Sequence, residues 1–89
     1  MKAVILNGKR MTSIKSAHSY ISRKLDFPDY YGENLDALWD ILSTISEPIH
    51  ITLTNKEELY ESLGEYSESL LSVFLDANKG NSNLHFEII

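Results

Sequence analysis

Tyr30-Tyr31-Gly32-Glu33-Asn34-Leu35-Asp36-Ala37-Leu38-Trp39-Asp40 joins a helix start to the helix it opens. Asn34 is a favourable N-cap, and Leu35, Leu38, Trp39 and Leu42 recur at the spacing of one inward helix stripe. The other flank carries Asp36 and Asp40, with no basic residue within a turn of either. Like charges at i, i+4 cost an isolated helix roughly 0.2–0.5 kcal/mol. Asp40 also lies toward the helix C-terminus, where the macrodipole disfavours an anion. Two local rules broken within one turn point to function, here the display of negative charge to a basic partner. Tyr30 and Tyr31 stand directly before the helix; one is expected in the core and the other at the surface, as an aromatic anchor beside unpaired acids.

Upstream of this helix, Ala3-Val4-Ile5-Leu6 is a continuous apolar run before Asn7-Gly8, expected as a strand buried on both faces. Ser13 can cap a helix reaching about Leu25, with Ile14, Ala17, Ile21 and Leu25 facing inward. Pro28 ends it by removing a donor and pushing Phe27 out of helical geometry. Downstream, Glu47-Pro48 breaks the central helix, and Ile49-His50-Ile51-Thr52-Leu53 alternates as a strand. Thr54-x-x-Glu57 and Asn55-x-x-Glu58 both read as capping-box starts for a short helix ending near Gly64. A fourth helix, about Ser67 to Asn78, turns Leu70, Leu71, Phe74 and Ala77 inward and stops at Gly80. Leu84 to Ile89 closes the chain as a strand. Three strands separated by about four helices place the chain in the α/β class with a small parallel sheet.

Eighty-nine residues, 43% hydrophobic and 24% charged, make one globular domain spanning 1–89. There is no cysteine, which fits a reducing compartment. The apolar run at Ala3–Leu6 is too short for a signal-peptide core or a membrane span, so a cytoplasmic protein with no membrane partner is expected. The net charge of −5 is unevenly spread. Residues 1–25 hold six Lys or Arg and no acid, whereas residues 26–76 hold twelve acids and a single base, Lys56. This field argues against nucleic acid as the partner of the acidic part and for a cationic protein surface; simple solubility is the other explanation of the acids.

Reaction chemistry finds little footing. His18, His50 and His85 fall in three different elements, and a structural or surface role is expected of each. No serine lies in a nucleophile elbow, and the four glycines are isolated turn and cap positions rather than a phosphate loop. Zinc spacing is absent along with the cysteines. Glu33, Asp36 and Asp40 run i, i+3, i+7, but a calcium site draws its oxygens from a flexible loop with a turn glycine. An exposed carboxylate pair also lacks the cleft that shifts acid–base groups into a catalytic range. The expectation is a protein that is not an enzyme and holds no metal or other cofactor. A small enzyme using Asp36, Asp40 and His50 would require a closed pocket around the acids.

The run from Tyr30 to Asp40, preceded by Pro28 and by an Ala3-Val4-Ile5 start, resembles the barstar family of intracellular ribonuclease inhibitors. The similarity extends over the whole chain at matching spacing, including Pro48 before the middle strand and Ser69 to Ala77 in the last helix. The resemblance implies an inhibitor that plugs the active site of a basic, secreted ribonuclease in a one-to-one complex, and that is a monomer when free. It implies Asp40 as the central anchor, Asp36 against a basic residue of a guanine-recognition loop, and Asp76 as a rim charge. Tyr30 would stack near the catalytic histidine, Asn34 and the Gly32 backbone would supply polar contacts, and Trp39 would stand at the interface edge. Ser43 replaces a threonine and keeps the hydroxyl. Ile45 stands where the best-known member has a second tryptophan, Asp76 replaces a glutamate, and Leu75 replaces an arginine. A cis bond before Pro48 is also implied. The acidic face specifies charge more than identity, so an adaptor for a different basic protein is the alternative.

Overall fold

The computed structural model describes all 89 residues. The chain runs β1 (Lys2–Asn7), a 3-10 turn (Gly8–Arg10), α1 (Ile14–Leu25), α2 (Leu35–Ser43), β2 (Ile49–Thr54), α3 (Lys56–Leu63), α4 (Glu65–Gly80) and β3 (Leu84–Ile88). The strands form one parallel sheet in the order β1-β2-β3. Register sets Val4 beside Ile51 and Phe86, and Leu6 beside Leu53 and Ile88. These residues and the buried helix stripes make one core, in which the Phe74 and Phe86 rings stack 4.8 Å apart. The expected three-stranded parallel α/β fold with four helices is what the chain adopts.

The first strand departs from expectation. Val4 and Leu6 are buried, but Ile5 is 59% exposed, so β1 is covered on one face only. The helices cover one side of the sheet, and the other carries Ile5, Thr52 and Glu87 in one row and Ala3, His50 and His85 in the next. Most parallel sheets are covered on both faces. Here the neighbouring strands make the open face polar, and a continuous apolar run in β1 alone cannot reveal that.

Each helix start has a local cause. Ser13 caps α1 by accepting from the Ser16 N–H at 3.1 Å, while Ser16 Oγ accepts from the Ser13 N–H at 2.9 Å. Ala17, Ile21 and Leu25 face the core as expected, but Ile14 at the first turn is 48% exposed. Asp26 closes α1 in the left-handed region, with the Phe27 N–H donating to Ser22 O. In α2, Leu38 and Leu42 are buried and pack toward α4, whereas Leu35 is half-buried and Trp39 40% exposed.

Neither expected capping box forms at α3. Asn55 is its N-cap in the left-handed region, and its amide turns away to donate to Asn7 Oδ1 at 2.7 Å. That bond joins the ends of β1 and β2, where the chain is tightest. A Cβ on Gly8 would meet the Asn55 carbonyl oxygen at 2.3 Å, so only glycine fits. Gly64, at φ +57°, reverses the chain between α3 and α4, and α4 starts two residues earlier than the apolar stripe indicates. The bond before Pro48 is trans, against the family expectation. The trans isomer is intrinsically favoured, and Pro48 O accepts here from the Lys2 N–H at 3.3 Å, at the start of the β1–β2 pairing.

Candidate functional site

Asn34 holds the start of α2. Its Oδ1 accepts from the Ala37 N–H at 2.8 Å, and its amide donates back to the Gly32 carbonyl at 3.2 Å. Glu33, in the left-handed region at φ +51°, lets the chain turn into the helix, and Glu33 Oε2 accepts from Ser19 Oγ at 2.9 Å. Both bonds fix the loop that precedes α2 while leaving Gly32 exposed.

The deeper tether of that loop is Tyr31, 8% exposed, whose hydroxyl meets His18 Nδ1 at 2.6 Å. The second ring nitrogen of His18 meets the Tyr66 hydroxyl at 2.7 Å. A neutral imidazole has one donor and one acceptor, so one tyrosine donates to the ring and the other accepts from it. Burial pushes the His18 pKa down, opposed by the nearby Glu33 carboxylate. Burial likewise pushes both tyrosines up, further for Tyr31 because Tyr66 and Glu33 add to it. The three side chains thus form a buried neutral chain linking α1, the loop and α4. With Tyr31 pinned, Tyr30 is left 86% exposed, and the one-in, one-out expectation for the pair holds.

Asp36 and Asp40 stand exposed on the solvent flank of α2, and neither forms an ion pair. Lys9 pairs with Glu58 at 3.9 Å, and His50 Nε2 meets Glu87 Oε1 at 2.9 Å, both elsewhere in the molecule. Ser43 Oγ donates to Trp39 O at 2.7 Å, and Thr44 Oγ1 donates to Asp40 O at 3.0 Å, closing the last turn with side-chain hydroxyls. Asp76 is exposed on α4, the helix against which α2 packs. Ile45 follows α2 half-buried against the core. The fold therefore gathers Tyr30, Gly32, Asn34, Asp36, Trp39, Asp40, Ser43 and Ile45 on one continuous segment and sets Asp76 on the adjoining helix.

The arrangement is suited to binding. Glu33, Asp36 and Asp40 do not converge, and no group of three His, Asp or Glu side chains is placed to hold a metal ion. His50 lies on the open sheet face bonded to Glu87, apart from the α2 aspartates. A groove of about 360 Å³ lies at the C-terminal end of α2, but neither Asp36 nor Asp40 lines it. The carboxylates face water, ready to exchange it for cationic groups.

Two supports escape sequence reasoning. The His18–Tyr31–Tyr66 chain spans 48 residues and leaves no local pattern. Asn81, 9% exposed, donates from Nδ2 to the carbonyls of Leu42 and Ile45, both at 3.0 Å, and so fixes the exit from α2. Its only signal is an asparagine just beyond a helix-stopping glycine.

Comparison with known proteins identifies the frame. A family model described as Barstar (barnase inhibitor) matches residues 1–89. The chain is 40% identical over 80 residues to a Bacillus subtilis (strain 168) protein named "Putative ribonuclease inhibitor YrdF", covering 89% of this chain and 88% of that protein.

Proposed function

This chain belongs to the barstar family of ribonuclease inhibitors, and from that premise we propose that it blocks the active site of a basic, secreted ribonuclease of the barnase type. The family acts by binding, and no catalytic step is assigned to this chain. The observation that carries the reading is the pair Asp36 and Asp40, exposed and without cationic partners at a spacing that sets like charges together, with Asp40 toward the end of the helix that disfavours an anion.

In the proposed complex the two carboxylates occupy positions that substrate phosphates take in the enzyme. Asp40 is the central anchor and Asp36 meets a second basic group, the roles that the family resemblance implies. Arginine is the natural counterpart, because its planar fork bonds a carboxylate through two parallel N–H donors. Tyr30 offers a ring face, the Gly32 backbone and Asn34 offer polar atoms, and Trp39, Ser43, Ile45 and Asp76 complete the rim. Tyr31 and His18 do not touch the enzyme in this arrangement; they hold the loop that does. A cytoplasmic inhibitor would protect its own cell from the ribonuclease before secretion, in a one-to-one complex with a free form that is monomeric.

The test is inhibition of barnase and of other barnase-type secreted ribonucleases by the wild type and by Asp40→Ala. Removing a charged anchor from a buried interface typically costs about 2–5 kcal/mol, because it also strands the cation opposite. Strong inhibition by wild type, weakened by at least about thirtyfold in the variant, is expected. A folded wild type that inhibits none of these enzymes overturns the reading and favours an acidic adaptor for another basic protein.

A further inference from the structure

The groove at the C-terminal end of α2 is continuous with the acidic face. Asp36, Asp40 and Thr44 follow one another at four-residue spacing, so a single stripe of α2 leads from the carboxylates to Thr44, which lines the groove. Phe27 and Pro28 form the opposite wall, Ile41 and Ile45 the near wall, and Ile49 contributes from the start of β2. Phe27, Ile41 and Ile45 are packed against the core yet only half-buried, so each keeps apolar surface in contact with water. The Thr44 hydroxyl is already engaged by the helix backbone and asks nothing of a ligand. Lys2, Asp26 and Glu47 also line the groove and none of them is in an ion pair, which leaves it net acidic by one charge.

We infer that this groove is a second anchor site for the ribonuclease, taking one apolar side chain, aromatic or branched, from the enzyme that Asp36 and Asp40 engage. The inference rests on the function proposed above and extends it to a determinant of specificity. Three features select this occupant. The groove adjoins the proposed interface through Ile45, so a partner seated on α2 reaches it without rearrangement. Phe27, Ile41 and Ile45 give the groove apolar surface between the charged Lys2, Asp26 and Glu47, which suits a hydrocarbon or ring carried on a charged surface. Its unpaired carboxylates favour an apolar group presented by a cationic surface, and an apolar anchor flanked by charge is the usual composition of a hot spot. The acids then supply attraction common to many basic ribonucleases, and the groove discriminates among them by the shape of one side chain.

The experiment uses the full chain with whichever barnase-type ribonuclease it inhibits in the assay above. Ser46→Trp, at an exposed lining residue outside the proposed contact set, fills the groove from its mouth, and a thermal melt of the free variant establishes that it folds. Inhibition is expected to weaken by roughly tenfold or more, the effect of losing one apolar anchor. In parallel, methyl NMR of the wild type follows Ile41, Ile45 and Ile49 as the ribonuclease is added. Those methyls should shift on complex formation, while Ile14 and Ile89, far along the chain and exposed, should not. A complex that forms with Ile41 and Ile49 unmoved, or a folded Ser46→Trp that inhibits within twofold of wild type, overturns the groove assignment. If Asp40→Ala still loses binding in that case, the function reading stands and only the groove fails. Shifts that grow with the concentration of the inhibitor alone would place a second copy in the groove and also overturn the assignment. Failure of the wild type to inhibit any such enzyme removes both.

Discussion

Asp36 and Asp40 invite a test in the free protein, apart from any partner. Each is exposed and unpaired, and their mutual repulsion and the unfavourable position of Asp40 are small, surface-scale costs. Replacing Asp40 with alanine should leave the melting temperature unchanged or raise it, by the equivalent of about 0.5 kcal/mol, while inhibition falls; Asp36 sits in the first turn, where the helix dipole offsets the repulsion, and its replacement should be near neutral. A clear drop in melting temperature would show the carboxylates to be structural and would remove the physical basis of the binding argument. His18 makes the opposite kind of prediction. Its native pKa is lowered from the ordinary 6.5, chiefly by burial, so between those two values the unfolded chain holds the extra proton. Stability therefore rises with pH across that interval, is complete above 6.5, and is lost as pH falls toward the native value. Urea unfolding at about pH 5 and pH 7.5 should show this loss in wild type. In His18→Gln the pH dependence should be shallower, because glutamine has no proton to take up. An equal loss in both proteins would assign the effect to the carboxylates instead.

At the scale of the elements, two asparagines hold the ends of α2. Asn34→Ala removes the N-cap of α2 and should cost about 1 kcal/mol. Asn81→Ala removes the donor shared by Leu42 O and Ile45 O and should cost about 1–3 kcal/mol, chiefly at the buried Leu42 carbonyl, because Asn83 Nδ2 also reaches Ile45 O at 3.4 Å. Chemical denaturation measures both, and a smaller loss at Asn81 than at Asn34 would mean water replaces the amide. The contrast also shows what the sequence makes legible. Asn34 can be read in advance because a cap and its stripe are neighbours in the chain, and the same holds for Ser13 and for the buried alternation of β2. Asn55 misleads because Asn7, its partner, is distant in sequence, and this long-range bond defeats the local capping box. Ile5 misleads because exposure of a strand face depends on where four helices settle. The exposed, unpaired aspartates of α2 are legible, since a basic residue is missing from every position within a turn of them, whereas Trp39, expected on the inward stripe, is 40% exposed. The groove behind α2 is not legible, because its walls come from α2, the loop after α1 and the start of β2.

The whole molecule carries its charges apart. The six bases among residues 1–25 belong to β1, the turn after it and α1, and three of them, Arg10, Lys15 and Arg23, line a polar groove with no carboxylate paired to them. The aspartates of α2 and α4 are likewise unpaired. A basic cleft approaching such a protein is attracted by the acids of α2 and repelled by the bases of α1. Such steering acts on the encounter rate, reaches only about 10 Å at 0.1 M salt, and leaves the packed complex almost untouched. Association with the target ribonuclease should therefore slow steeply as salt rises from about 0.01 to 0.5 M, while dissociation changes little. Lys15 provides the sharper version, being exposed and outside the proposed contact surface. Lys15→Glu removes repulsion and should speed association by roughly twofold or more at low salt, with the dissociation rate unchanged and the advantage gone at high salt. Stopped-flow binding of wild type and variant across that salt range measures all three quantities. A faster dissociation in Lys15→Glu would mean that α1 touches the enzyme, and the binding surface would have to extend beyond α2 and its loop to the basic groove.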